Sequence, residues 1–157
     1  MAIWLRCHCC AQIMFGGNVG TITYHAFAGL ANAGVAWRSI VMRPLPAAIE
    51  RLGQANASVL TPNGMAAISW RRREKRALVL NATVPPGSTA KIIVPMTLFG
   101  TSKISSVTES ATVVWSHGKY AAPPAAAGFV GFTHEASPHE ALAFAVGSGS
   151  FVFAVAY

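Results

Sequence analysis

Apolar and polar residues alternate along most of the chain beyond residue 36, which is typical of β-strands with one buried face. The clearest case is residues 77–84, where every even-numbered position is apolar while Asn81 and Thr83 fall on the opposite face. The same pattern predicts further short strands at residues 37–43, 57–60, 65–70, 90–94, 104–109, 111–115, 129–132, 142–146 and 151–155.

Turn-forming residues separate these segments and indicate how they are joined. Asn63 and Gly64 lie between two apolar segments, and they predict a hairpin because both residue types tolerate positive φ. Residues 85–88 (PPGS) predict a second turn, and Pro44 and Pro46 should stop regular pairing. Short strands at a spacing of about 8–12 residues, with no long amphipathic helix between them, predict an all-β fold, an antiparallel two-sheet β-sandwich.

The first 36 residues differ from the rest because they are rich in Gly, Ala and Cys and show no clear alternation. Residues 21–33 predict a short helix with Ala26, Phe27 and Leu30 on one side, weakened by its glycines. We therefore expect two parts, an N-terminal segment at residues 1–36 and a β-sandwich domain at residues 37–157.

Composition excludes several classes of protein. The chain has 157 residues, of which 53% are hydrophobic and 11% charged, and its mean hydropathy is +0.44. These values are the opposite of those of a disordered protein. Arg6 and His8 interrupt the apolar N-terminus, and glycines and serines divide the uncharged residues 141–157, so we predict neither a secretory signal nor a membrane partner and leave the compartment open.

The formal net charge of +7 comes partly from one short segment. Residues 71–76 (RRREKR) hold five of the twelve Lys and Arg residues. Such a cluster could bind phosphate, uronate or nucleic acid, but a solvated turn between two strands is the favoured interpretation. No aromatic residue is interleaved for base stacking, so we expect no nucleic-acid partner.

Candidate metal-binding and catalytic residues are few. Cys7, Cys9 and Cys10 flank His8, but a structural zinc site needs a second ligand pair and none follows, so we predict no metal and no cofactor. The chain has no Asp, and its five carboxylates are all Glu. We expect Glu109 to serve as a surface charge or in a local hydrogen bond within a turn.

Two further sets of side chains have an alternative functional role. Glu135 and Glu140 flank His139 and could form an acid–base pair, although nothing in the sequence fixes their geometry. Trp70 and Trp115 could stack on sugar rings as a carbohydrate-binding pair, whereas tryptophan at an alternating strand position is more often part of the core.

Several motifs, in their order and spacing, resemble a known module. These are residues 37–46 (WRSIVMRPLP), 57–64 (ASVLTPNG), 80–95 (LNATVPPGSTAKIIVP), 107–110 (VTES) and 146–153 (VGSGSFVF). Together they are similar to the C-terminal β-sandwich of family 78 α-L-rhamnosidases, over about residues 37–156. Residues 23–29 faintly resemble the last helix of that family's catalytic barrel, which would make His25 the remnant of an active-site histidine, although a local structural role is favoured.

The resemblance implies a parent enzyme that removes terminal α-L-rhamnose from glycosides with inversion. Its catalytic carboxylates lie on a helical barrel of several hundred residues, and no residue of this chain matches them. The chain is therefore expected to be an accessory domain or a gene fragment, inactive alone, with the catalytic barrel or its carbohydrate substrate as partner. Exposed apolar surface could also cause self-association. The alternatives are a stand-alone carbohydrate-binding module and a basic nucleic-acid-binding protein.

Overall fold

A computed structural model describes residues 17–73, 76–98, 102–121, 128–135 and 140–157, which form two sheets packed on one core. The strands in chain order are β1 Leu30–Asn32, β2 Ser39–Met42, β3 Gln54–Thr61, β4 Gly64–Arg73, β5 Ala77–Val84, β6 Thr89–Pro95, β7 Thr97–Leu98, β8 Ser102–Lys103, β9 Ser106–Glu109, β10 Thr112–Ser116, β11 Lys119–Tyr120, β12 Phe129–Glu135, β13 Ala141–Val146 and β14 Gly149–Ala156.

One sheet has the order β1-β2-β6-β13-β12 and the other β11-β10-β9-β14-β5-β4-β3, while β7 and β8 form a separate two-stranded ribbon. All described pairings are antiparallel except that of β2 with β6. The predicted two-sheet sandwich is confirmed. The parallel pair was not predicted, and it arises because β3, β4 and β5 of the opposite sheet intervene between β2 and β6.

The core lies between the sheets and contains the alternating apolar positions. Leu78, Leu80 and Phe153 are fully buried on the inner face of the seven-stranded sheet, as the alternation predicts. Phe144 of the other sheet lies 5.2 Å from Phe153 between ring centroids, so the two sheets contact each other through aromatic rings. Such contacts add about 0.5–1.5 kcal/mol to the stabilisation from burial alone.

Two short helices accompany the sheets. Helix α1, Gly17–Ile22, continues as a π-helical turn over Thr23–Ala28, and the second helix α2 spans Pro46–Leu52. Helix α2 was not predicted, because Pro46 looked like a strand breaker, whereas proline also suits the first turn of a helix, where no amide hydrogen is needed. None of the helices in the described part of the chain is long and apolar enough to cross a membrane.

The predicted helix over residues 21–33 is correct only as far as Ala28. Gly29 has φ 83° and its amide donates to the Tyr24 carbonyl oxygen at 2.8 Å, which ends the helix. The next residues form β1 and pair with β2, so the expectation of helix there is wrong. A left-handed residue at Gly29 turns the chain into the sheet.

The predicted hairpin is confirmed as β3 and β4, but its turn differs from the expected one. Thr61 pairs with Gly64, so Pro62 and Asn63 are the two central residues. Of the turn residues, Gly64 takes a positive φ, 123°, and Asn63 does not. The Thr61 hydroxyl donates to the Gly64 carbonyl oxygen at 2.7 Å and accepts from the Asn63 amide at 3.2 Å, which fixes the turn.

Candidate functional site

Trp70 and Trp115, the two candidate sugar-stacking residues, are both buried in the core, with exposed fractions of 2% and 5%. The Trp70 indole Nε1 donates to the Ala28 carbonyl oxygen at 3.2 Å, which ties the helical segment to the sheet. Stacking on a sugar needs an exposed ring face, so this burial supports the core role. Carbohydrate binding by the two residues stays a prediction.

Glu109 ends strand β9 and is only 5% exposed, so the expected surface charge is wrong. The local hydrogen bond, which was the other expected role, is present, because the Ser110 hydroxyl donates to Glu109 Oε1 at 2.6 Å. Ser110 and Ala111 both take positive φ, which bends the chain sharply there. A hydrogen bond offsets part of the cost of burying this carboxyl group.

The other carboxylates whose side chains are described lie on the surface of the molecule. Glu50 on α2 and Glu140 before β13 are exposed. Glu140 also lines a small surface recess together with Arg43 and Pro95. The Glu135 side chain, Glu74 and residues 136–139, with His139 among them, lie outside the described part of the chain, so the predicted pair of Glu135 and Glu140 stays a prediction.

His25 belongs to no metal-ligand cluster within the described residues. His25 is exposed on the π-helical turn. Cys7, Cys9 and Cys10 lie outside the described residues. Within the ranges that are described, no three His, Cys, Asp or Glu side chains lie close enough to share a metal ion.

Three of the four described residues of the basic segment lie in a strand, which corrects the expectation that the segment is a turn. Arg71, Arg72 and Arg73 continue β4 and are exposed, and Arg76 lies in the turn before β5. Arg71 Nε donates to Gln54 Oε1 at 3.0 Å. Arg72 Nη1 donates to the Glu50 carbonyl oxygen at 2.9 Å, on the last turn of α2. Cross-strand pairing with β5 extends β4 beyond the apolar segment from which its end was predicted.

One end of the sandwich carries exposed apolar side chains, which we call the apolar end. It consists of Val35, Leu60 and Met65, with exposed fractions of 87%, 78% and 48%. Leu60 and Met65 are directly paired beside the β3–β4 turn. The Asn63 side-chain amide donates to the Ser88 hydroxyl at 3.5 Å, which joins that turn to the β5–β6 turn.

The loop that carries Val35 reaches the same end of the molecule. The Thr89 amide, one residue beyond the β5–β6 turn, donates to the Arg38 carbonyl oxygen at 2.9 Å. Apolar side chains grouped in this way are typical of a surface that contacts another protein surface. The sequence alone did not single out these residues, because their exposure depends on how the three turns come together.

Comparison with known proteins identifies the class of this domain. A sequence model described as the bacterial alpha-L-rhamnosidase C-terminal domain matches residues 29–109, just over half of the chain. The fold is thus that of a C-terminal β-sandwich found in a group of glycoside hydrolases. The chain belongs to the bacterial alpha-L-rhamnosidase C-terminal domain family, which confirms the resemblance that the sequence motifs indicated.

Curated relatives and solved structures agree with this family. The chain is 32% identical over 79 residues to an alpha-L-rhamnosidase of Streptomyces avermitilis and 34% identical over 79 residues to one of Formosa agariphila. These matches cover 50% of this chain but only 7% and 8% of the relatives.

The same fold occurs within two much larger solved structures. The alpha-L-rhamnosidase from Dictyoglumus thermophilum matches with a TM-score of 0.66 and 22% identity, over 92% of this chain and 14% of that one. The Streptomyces avermitilis alpha-L-rhamnosidase complexed with L-rhamnose matches with a TM-score of 0.58 and 23% identity, over 88% and 11%. At these identities the likeness shows the fold.

Proposed function

We propose that this chain is the accessory C-terminal domain of an α-L-rhamnosidase, which packs against a catalytic domain and does not hydrolyse glycosides itself. The observation that carries the proposal is the family match, combined with a chain that spans only 7% and 8% of its curated relatives. The catalysis of an inverting glycosidase needs two carboxyl groups about 6.5–9.5 Å apart. Among the described side chains, Glu109 is buried and accepts a hydrogen bond from Ser110, while Glu50 and Glu140 are exposed on different parts of the fold.

In this proposal the N-terminal segment, residues 1–36, derives from the end of the catalytic barrel and also contributes strand β1 to the sandwich that residues 37–157 form. Residues 17–28 are helical and pack on the sandwich, and the Tyr24 hydroxyl donates to the Ser58 carbonyl oxygen at 3.2 Å. This contact lies on β3, the last strand of the seven-stranded sheet. A helix along a sheet edge protects that edge from pairing with other chains.

We assign docking of the catalytic domain to the apolar end. A chimera tests this assignment, in which the matching segment of the Streptomyces avermitilis relative is replaced by this chain. We expect the chimera to be folded and active. Leu60→Glu should weaken the contact and lower the melting temperature of the catalytic part by several degrees, because a charge would be buried at the interface.

Leu52→Glu is the matched control for Leu60→Glu, since Leu52 is also an exposed leucine, 43% accessible, but it is the last residue of α2 and lies near the opposite end of β3. It should leave the melting temperature of the chimera unchanged. If the two substitutions lowered the melting temperature equally, the apolar end would not be the docking surface.

The isolated chain should associate through the same surface, because the apolar end has no catalytic domain to cover it. Size-exclusion chromatography at increasing protein concentration should show a rising apparent mass, which Leu60→Glu reduces. A monomer at all concentrations would contradict self-association. The docking proposal would be unaffected, because the chimera tests it separately.

A further inference from the structure

A second group of side chains lies on the outer face of β3, β4 and β5, toward the end of that face away from Leu60 and Met65, and we call it the polar platform. Its members are Gln54, Asn56, Ser69, Arg71, Arg73 and Asn81. Gln54 is paired with Arg71, Asn56 with Ser69, and Ser69 with Asn81. Residues paired across antiparallel strands have Cα atoms about 4.5–5.5 Å apart, so these side chains form one continuous surface.

Hydrogen bonds within the platform hold its polar groups in place. Asn81 Nδ2 donates to the Ser69 hydroxyl at 3.1 Å, and Arg71 Nε donates to Gln54 Oε1 at 3.0 Å. The second bond orients the Arg71 guanidinium through one nitrogen. In the described ranges its two terminal nitrogens make no further hydrogen bond, so they can bind a ligand.

The platform is positively charged and has no carboxylate. Arg71 and Arg73 are both exposed and are two residues apart on β4, so their Cα atoms lie about 6–7 Å apart on one face. Residues 54–73 and 77–84 contain no Asp or Glu. A ligand that bears negative charge is therefore attracted to the platform without an opposing charge on these strands.

We propose that the polar platform binds an anionic polysaccharide through its carboxylate groups. Arginine binds carboxylates with two parallel hydrogen bonds, and the amide and hydroxyl groups of Asn56, Ser69 and Asn81 match sugar hydroxyls. The one aromatic residue of β3, β4 and β5, Trp70, points into the core. The platform thus has no ring on which a neutral sugar or a nucleic-acid base would stack, which favours an acidic glycan.

This inference goes beyond the proposed function and does not depend on it, because docking of a catalytic domain is assigned to the apolar end. Isothermal titration of the chain with polygalacturonate at low salt tests the platform directly. We expect saturable binding that weakens as salt is added, since salt screens exposed charges. Dextran, a neutral polysaccharide, should not bind.

The double variant Arg71→Gln with Arg73→Gln should weaken polygalacturonate binding about tenfold or more, because hydrogen bonds to charged groups are the stronger class. Lys103→Gln with Lys119→Gln is the matched control. It removes the same charge from exposed positions on β8 and β11, and binding should stay within about twofold of the original chain.

A second variant keeps the arginines and tests the middle of the platform. Asn81→Glu introduces a like charge where the ligand would lie, and it should also weaken binding about tenfold. Asn81 is exposed, so thermal unfolding should confirm that this variant is folded.

Three results would overturn the inference. The first is no binding to polygalacturonate at low salt, and the second is equal binding by the original chain and the double arginine variant. The third is binding to polyglutamate or to a single-stranded oligonucleotide as tight as that to polygalacturonate and lost in the same variant. In that last case the platform would attract any polyanion, or would be a nucleic-acid site. None of the three would affect the docking of a catalytic domain.

Discussion

At the scale of single residues, Trp70 connects the helical segment to the sheet. Its Nε1 donates to the Ala28 carbonyl oxygen, and only 2% of Trp70 is exposed. Trp70→Phe should lower the free energy of unfolding by about 1–3 kcal/mol, because the Ala28 carbonyl would be left buried without its partner. Urea unfolding measures this change.

Trp115→Phe is the matched control for that substitution. Trp115 is also buried, and its indole nitrogen has no hydrogen bond to the described part of the chain. The control should therefore cost less than Trp70→Phe. The same loss of stability in both variants would show that ring volume, and not the hydrogen bond to Ala28, accounts for the effect.

Tyr157 gives the fold a dependence on alkaline pH. Its hydroxyl donates to the Pro95 carbonyl oxygen at 2.9 Å, and burial raises the pKa of Tyr157 above its ordinary value. The folded state therefore holds the phenolic proton more tightly than the unfolded state does. The stabilisation is complete below about pH 10, the ordinary pKa of tyrosine, and is lost progressively as the pH rises above it.

Tyr157→Phe cannot ionise, so its stability should fall less steeply than that of the original chain above about pH 10. Urea unfolding of both proteins between pH 8 and pH 11 should show the difference in stability becoming smaller as the pH rises. Parallel curves over that range would contradict the role of Tyr157.

At the scale of elements, Gly29 and Gly53 end the two helical segments in similar ways. Both take a left-handed conformation, with φ 83° and 74°. A Cβ at Gly29 would lie 2.4 Å from the Arg43 carbonyl carbon and the Pro44 nitrogen, whereas a Cβ at Gly53 would meet nothing within 4 Å. Only Gly29 thus combines backbone strain with a steric clash.

Gly53→Ala should destabilise the chain by about 1–2 kcal/mol, the cost of a left-handed alanine. Gly29→Ala should carry the same cost and a further loss of about 1–3 kcal/mol, because the new Cβ would clash with the backbone of Arg43 and Pro44. Thermal unfolding of the two variants makes the comparison. A smaller effect at Gly29 than at Gly53 would contradict the close packing of this turn against Pro44.

The elements also show what the sequence could predict. The predicted first and last residues of strand β5 match the structure. They could be predicted because buried apolar residues alternate with outward-facing ones from Leu78 to Val84 without interruption. Helix α2 and the single parallel pair were missed, because they depend on how Pro46 and β2 meet the rest of the fold.

The candidate sites depend even more on tertiary structure. The strand position of Arg71 and the exposure of Leu60 follow from pairing partners, which local alternation does not reveal. The polar platform in particular needs the register of three strands before its side chains can be seen to share a face.

At the scale of the whole molecule, the sandwich presents two groups of exposed side chains, and Leu60 and Met65 of the first group lie at one end of the sheet face whose other end carries the second group. The apolar end gathers Val35, Leu60 and Met65, and the polar platform carries Arg71 and Arg73. In an accessory domain the first surface would face the catalytic domain and the second would remain open to a polysaccharide. Loss of one function should therefore leave the other intact.

The most direct test of the central proposal is the rate at which the purified chain hydrolyses a chromogenic α-L-rhamnoside. The intact Streptomyces avermitilis relative serves as the positive control. An accessory domain should give a rate equal to that of buffer, because the proposal assigns the two carboxyl groups of acid–base catalysis to the catalytic domain. Steady turnover that disappears when Glu50 or Glu140 is replaced by Gln would contradict the account.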